Sequence, residues 1–303
     1  MTKLLKVILA GALCALAFSS VASAKTVAVD ISKAGFVPAN VALQVGDTVT
    51  FTNKDTANHQ AVCQTCPFTS PVLKQNETFS YTFTKAGKFT YIDPLNKNKR
   101  GTATVSAAPA VVSLAATPTV VTYGVKTTLS GTISTQPTGE KVDILAQVAG
   151  ENAYKLIATV TTTAGGAFSY AVAPAKNTSY EARTKLAGVP LITSGAVSVQ
   201  VRPKVGLSRR SLHHFKVSAT AADSFVGKYV VFQRYIASTG KWRTVKSVQL
   251  KVMVQTALPL PGTFVSSSSF TVMVKAGYKV RAILAPSQAG SSYLAASSAT
   301  IRS

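Results

Sequence analysis

The residues best suited to chemistry lie near the N-terminal end, where His59, Cys63 and Cys66 follow the pattern His-x3-Cys-x2-Cys. An imidazole and two thiolates at this spacing form a soft donor set for Cu(I) or Zn(II). The same cysteines can instead close a short disulfide, or cycle between thiol and disulfide as a redox switch. A thioredoxin-type catalyst is the least attractive of these. It needs its Cys-x-x-Cys at a helix N-terminus, whereas Cys63-Gln64-Thr65-Cys66 follows a strand-like stretch and precedes Pro67. Elsewhere catalytic material is sparse. The 303 residues include 10 Asp+Glu and 3 His, with no Ser/His/Asp grouping, phosphate loop or recognisable carboxylate pair. His213 and His214 are adjacent, and adjacent side chains of a strand leave on opposite faces, so they do not share a metal. The expectation is a protein that is not an enzyme.

Residues 1–24 have the features of a cleaved signal peptide. Lys3 and Lys6 precede an apolar run of about 12 residues, and Ala22-Ser23-Ala24 supplies a cleavage site before Lys25. The run is short of the ~20 residues a membrane-spanning helix needs. Cys14 follows Leu13, where a lipoprotein signal requires a small residue. No later segment is long and apolar enough to span a membrane. The expected product is therefore secreted or extracytoplasmic, in the cell envelope, with no transmembrane segment in the mature chain. Thiols oxidise outside the cytoplasm, which favours a Cys63–Cys66 disulfide.

The mature chain has the texture of short β-strands. Val27-Ala28-Val29-Asp30-Ile31, Thr48-Val49-Thr50-Phe51 and Phe79-Ser80-Tyr81-Thr82-Phe83 are rich in β-branched or aromatic residues, and Gly, Asn, Pro and Asp punctuate the gaps. Helical periodicity is absent after residue 24. Such spacing predicts an all-β fold of three β-sandwich domains in series. Ser106-Ala107-Ala108-Pro109-Ala110 and Val201-Arg202-Pro203-Lys204 look like linkers, dividing the mature chain into 25–107, 108–203 and 204–303. The last two pieces resemble each other. Gly139-Glu140-Lys141-Val142 parallels Gly227-Lys228-Tyr229-Val230, Tyr154 parallels Trp242, and Tyr180-Glu181-Ala182-Arg183 parallels Tyr278-Lys279-Val280-Arg281. Trp242 is expected to pack within its sandwich. Together these pieces resemble the immunoglobulin-like repeats of secreted bacterial proteins, a resemblance that implies fold and a spacer or adhesion role.

Residues 25–107 resemble the cupredoxins, the plastocyanin- and azurin-like copper proteins. The resemblance rests on Phe36-Val37-Pro38, Val45-Gly46-Asp47-Thr48-Val49, the approach Asn53-Lys54-Asp55 to His59, and the closing strand Gly101-Thr102-Ala103-Thr104-Val105. Type 1 copper takes two imidazoles, a thiolate and usually an axial Met. Against the family's ligand loop, counted back from Gly101, Asp93 stands at the Cys position, Asn96 at the second His and Lys99 at the Met. His59 alone keeps its type. The expectation is a domain without type 1 copper and with no cofactor. The alternative is a copper-binding or electron-transfer protein with a rebuilt site, in which His59, Cys63 and Cys66 bind the metal and Asp93 is a fourth ligand.

Charge points to partners. The chain has 32 Lys+Arg against 10 Asp+Glu, and residues 204–303 alone hold 14 basic residues and one acidic. Arg209, Arg210, Lys241, Arg243, Lys246 and Lys251 concentrate part of that excess. Such a field attracts polyanions within about a Debye length, ~8 Å at physiological salt. An anionic cell-surface polymer or polysaccharide is the expected partner. No nucleic-acid motif is present, so no specific nucleic acid is expected.

Overall fold

The computed structural model describes residues 24–96 and 99–303. The targeting segment expected at 1–24 lies, apart from Ala24, outside the described residues. The chain divides into two compact units, Met1–Pro109 and Ala110–Ser303.

Among its described residues the first unit has eight strands: β1 (Thr26–Ser32), β2 (Gly35–Val37), β3 (Asn40–Gln44), β4 (Thr48–Asn53), β5 (Val62–Cys63), β6 (Thr78–Thr82), β7 (Gly87–Ile92) and β8 (Arg100–Ser106). They form two sheets, ordered β2-β1-β4-β6 and β3-β8-β7-β5. The pairs β1–β4 and β3–β8 are parallel. Period-two alternation turns Val29, Ile31, Val49 and Phe51 inward to meet Tyr91, Ala103 and Val105 of the other sheet. Phe51 meets Tyr91 edge-on, with ring centroids 5.1 Å apart. Gly101 pairs with Tyr91 across the ladder, and a Cβ there would stand 2.1 Å from the Tyr91 ring, so glycine is required.

The second unit opens with β9 (Ala115–Thr117), β10 (Val120–Thr122), β11 (Thr127–Thr132), β12 (Lys141–Val148), β13 (Lys155–Thr161), β14 (Ala167–Val172), β15 (Thr178–Thr184), β16 (Ile192–Thr193) and β17 (Val197–Arg202). Their sheets run β14-β11-β9 and β10-β17-β15-β12-β13, with β16 on β15. After Pro203 come β18 (Lys204–Ser211), β19 (His214–Ala221), β20 (Tyr229–Ile236), β21 (Lys241–Gln249), β22 (Val252–Thr256), β23 (Thr263–Thr271), β24 (Lys279–Leu284), β25 (Ala296–Ser297) and β26 (Ile301–Arg302). These give β18-β19-β23-β22 and β21-β20-β24-β25, with β26 on β24. Helix among the described residues is confined to Pro286–Ala289 and a 3-10 turn at Ala164–Gly166. The architecture is all-β, as the strand texture predicts.

The two halves of this unit repeat one design. Ile144 pairs with Ala158 and Ala182, and Phe232 pairs with Lys246 and Ala282; a β-bulge follows each of the two on the same side. Ala182 and Ala282 each donate a backbone N–H to a serine Oγ, Ser194 and Ser298, at 2.9 Å. The sequence aligns Tyr180–Arg183 with Tyr278–Arg281, whereas the registers match Ala182 to Ala282, two residues further on. A slip of two leaves inward and outward positions unchanged, so the hydrophobic pattern cannot detect it.

One apolar core runs through both halves, from Val112 to Ala296. Buried Tyr123 donates from Oη to Thr263 Oγ1 at 2.9 Å, because Thr263 gives its own proton to Leu260 O. Asn177 donates to Ser291 O at 3.0 Å and accepts the Val201 N–H at 2.8 Å. Lys176 Nζ lies 2.9 Å from Asp223.

Candidate functional site

His59 is held where the loop after β4 turns back beside Leu73, by reciprocal backbone bonds of 3.1 and 2.8 Å. Asn53 fixes that loop, donating to Ala57 O and Leu73 O and accepting the Asp55 N–H. The imidazole is 3 % exposed. Its Nδ1 lies 2.5 Å from Asp93 Oδ2 and its Nε2 lies 3.2 Å from Asp55 Oδ2. Asp93 follows β7 and is itself buried; its other oxygen accepts the N–H groups of Gln60 and Leu95 at 3.2 and 3.1 Å. The hydrogen bond from His59, followed by that from the Thr56 N–H, holds the Asp55 carboxyl below the usual carboxylate range. The sequence pattern presents Asp55 only as the approach to His59; its position four residues before the histidine is the signal that it closes onto the ring.

The cysteines form a disulfide, Cys63–Cys66, with S–S 2.01 Å. Their loop lies along β7, Gln64 N–H donating to Thr90 O and Thr65 Oγ1 accepting the Thr90 N–H. The rebuilt four-ligand site is not assembled. His59, Ala61 and Cys63 alternate inward along an extended stretch, and four residues at ~3.3 Å rise set the His59 and Cys63 backbones ~13 Å apart. Both sulfurs are tied to each other, and each ring nitrogen faces a carboxylate. Asn96 donates from Nδ2 to Ser32 O and Lys33 O at 3.3 Å, and the Lys99 stem runs beside Gly35. A carboxylate, an amide and an ammonium do not supply thiolate, imidazole and thioether, so these residues do not fit type 1 copper. Among the described residues no group of three or more His, Cys, Asp or Glu is arranged to hold a metal. Thiol labelling of the native, unreduced protein is expected to modify neither Cys63 nor Cys66. Cutting so short a loop by Cys66→Ser should cost stability only at the low end of ~0–5 kcal/mol, and full labelling without reductant would contradict the bond.

The six basic residues singled out in the sequence are exposed but do not converge. Arg209 and Arg210 lie on β18 in one sheet, Lys241, Arg243 and Lys246 on edge strand β21 of the other, and Lys251 between β21 and β22. Lys246 Nζ donates to Thr271 O at 2.8 Å, and Arg243 lines a shallow groove with Arg234 and Met273. None of the six forms an ion pair among the described residues. Trp242 is not a packed sandwich residue. It is half-buried on the outward face of its sheet, beside Tyr235 and under Arg281. No helix among the described residues is long and apolar enough to cross a membrane.

Residues 5–105 match the cupredoxin-like domain family, so the chain carries a cupredoxin-like domain at its N-terminal end. No curated protein matches the chain. Among solved structures, a purple cupredoxin from Nitrosopumilus maritimus is 26 % identical, covering 26 % of this chain and 99 % of its own, with TM-score 0.26. An amicyanin mutant in its Cu(I) state is 28 % identical, covering 27 % of this chain and 82 % of its own, with TM-score 0.25.

Proposed function

We propose that the protein is an exported, non-enzymatic binding or adhesion protein of the cell envelope or extracellular space. Its cupredoxin-like domain has lost the type 1 copper ligands and leads two immunoglobulin-like modules, the second of which holds the chain on an anionic surface polymer. The paired bulges and serine caps support a duplicated module. The carboxylates on both nitrogens of His59 support a domain kept for its fold rather than for copper.

The observation that carries the binding reading is uncompensated charge. Residues 204–303 hold 14 basic residues, and their one acidic side chain, Asp223, pairs with Lys176 of the preceding half. A field of this kind is screened by salt as the Debye length falls from ~10 Å at 0.1 M to ~3 Å at 1 M. The test compares residues 25–109 with 110–303 on an immobilised acidic polysaccharide at rising salt. Stronger retention of 110–303, released well below 1 M, is the expected result. Equal retention of the two would reject the reading. In parallel, the mature protein loaded with Cu(II) should show no intense thiolate-to-copper absorption; such a band would restore a copper role.

A further inference from the structure

The outward face of the sheet β21-β20-β24-β26 carries a row of residues that the sequence scatters over 68 positions, from Tyr235 to Arg302. Trp242 pairs with Tyr235 across β21 and β20, and Lys279 pairs with Arg302 across β24 and β26. The Lys279 ammonium reaches over the Tyr235 ring, 5.8 Å from its centroid. Two residues along β24, the Arg281 guanidinium lies on the Trp242 ring at 4.1 Å and donates from Nε to Gln233 Oε1 at 3.0 Å. Val280 and Ala282, at the alternate positions, are buried, so Lys279 and Arg281 face outward. Beside Arg281 the face opens into a groove of about 450 Å³ that is also lined by Arg202, Lys204, Thr122 and Ser297.

We infer that this face and groove bind an acidic polysaccharide, with Arg281 taking a sugar carboxylate through its two Nη groups, which the bond to Gln233 leaves free. The inference deepens the polyanion reading above and rests on it. Stacking on Trp242 and the bond to Gln233 fix the plane of the guanidinium before any ligand arrives. A fixed fork recognises a planar carboxylate bidentately, which a lysine cannot reproduce. Lys279 stands ~6.6 Å away along the strand and Arg302 ~4.8 Å further across it, spacings comparable to a pyranose ring. No carboxylate of the protein is ion-paired with any of these three cations among the described residues.

The first half of the unit is an internal reference. By the matched registers, Tyr154, Gln147, Ser179, Glu181 and Ser198 occupy the places of Trp242, Tyr235, Lys279, Arg281 and Arg302. The same sheet therefore forms with neutral and acidic residues there, and the cation–aromatic set is not a requirement of the fold. Its chemistry also selects among polyanions. The guanidinium covers the Trp242 ring, which leaves a base little aromatic surface to stack on. The aliphatic side chains of this face, Val231 and Ile283, are half-buried, so no aliphatic wedge projects to enter a lipid layer.

Trp242 is the only tryptophan in the chain, so its emission reports on this face. Titrating the mature protein with polygalacturonate at physiological salt should change that emission saturably, in step with binding measured independently. Arg281→Lys keeps the charge and removes the fork, and should weaken binding about tenfold or more, as losing charge-assisted hydrogen bonds does. Lys279→Ser, which installs the first half's residue, should weaken it severalfold, whereas Lys228→Ala should change it less than twofold. Binding with unchanged Trp242 emission and unaffected by Arg281→Lys would overturn this site while leaving the polyanion reading intact. Tighter, Arg281-dependent binding of single-stranded DNA or anionic vesicles would overturn the polysaccharide assignment. Binding to no polyanion would overturn both.

Discussion

Replacing Asp93 by alanine should lower the melting temperature of the N-terminal unit by ~12 °C or more, following a loss of ~3–5 kcal/mol in a domain of this size as three buried donors lose their acceptor. One carboxylate serves three donors there: His59 Nδ1, the Gln60 N–H and the Leu95 N–H. Asp93 and His59 are 2 % and 3 % exposed, so water cannot take over these bonds. Truncating a buried acceptor leaves each of its donors without a partner, at a cost of ~1–3 kcal/mol apiece. Asp93→Asn keeps an acceptor oxygen and should be milder. Calorimetry of the mature protein separates this from a general effect, since the transition of residues 110–303 should not move. A shift below ~4 °C for Asp93→Ala would mean that the pair is not what holds this end of the domain together.

The second large effect is expected at Tyr123. Its ring is 2 % exposed and its hydroxyl donates to Thr263 in the other half of the unit. Tyr123→Ala deletes a large side chain from a packed core and should cost ~3–5 kcal/mol. Tyr123→Phe keeps the ring and should cost only ~0.5–1.5 kcal/mol, the net value of one hydrogen bond. The alanine variant should also loosen the two halves, so that 110–303 melts over a broader range or in two steps. A single sharp transition at the wild-type temperature would show that the common core does not depend on this contact.

The strands were legible because alternation is local. Val27 to Ile31 and Thr48 to Phe51 each declare a half-buried strand within five residues. The cysteine pair was legible as a set of alternatives, and three residues of separation could not choose between sulfur–sulfur and sulfur–metal bonds. The closure of Asp93 onto His59 spans 34 residues; only resemblance to a family placed the two near each other, and it offered Asp93 as a ligand rather than as the histidine's partner. The outward row was hidden for a different reason. Trp242, Tyr235, Lys279 and Arg302 become neighbours only through the register of four strands, and register is set by bulges that the sequence does not mark. Counting lysines and arginines along the chain therefore found the charge but not the place where it is organised.

Only Pro203 stands between β17 and β18, and its ring restricts the one joint at which a hinge could form. A module held on a long flexible tether can search for a second attachment point, gaining effective concentration from the tether's reach. These two halves have no such slack. A ligand bound on the basic face would fix the orientation of the neighbouring sandwich as well, and the pair would behave as a stiff bracket rather than as beads on a string. Multivalent attachment would then depend on how densely molecules stand side by side on the surface, and lateral crowding, not swivelling within one chain, would set the strength of the hold.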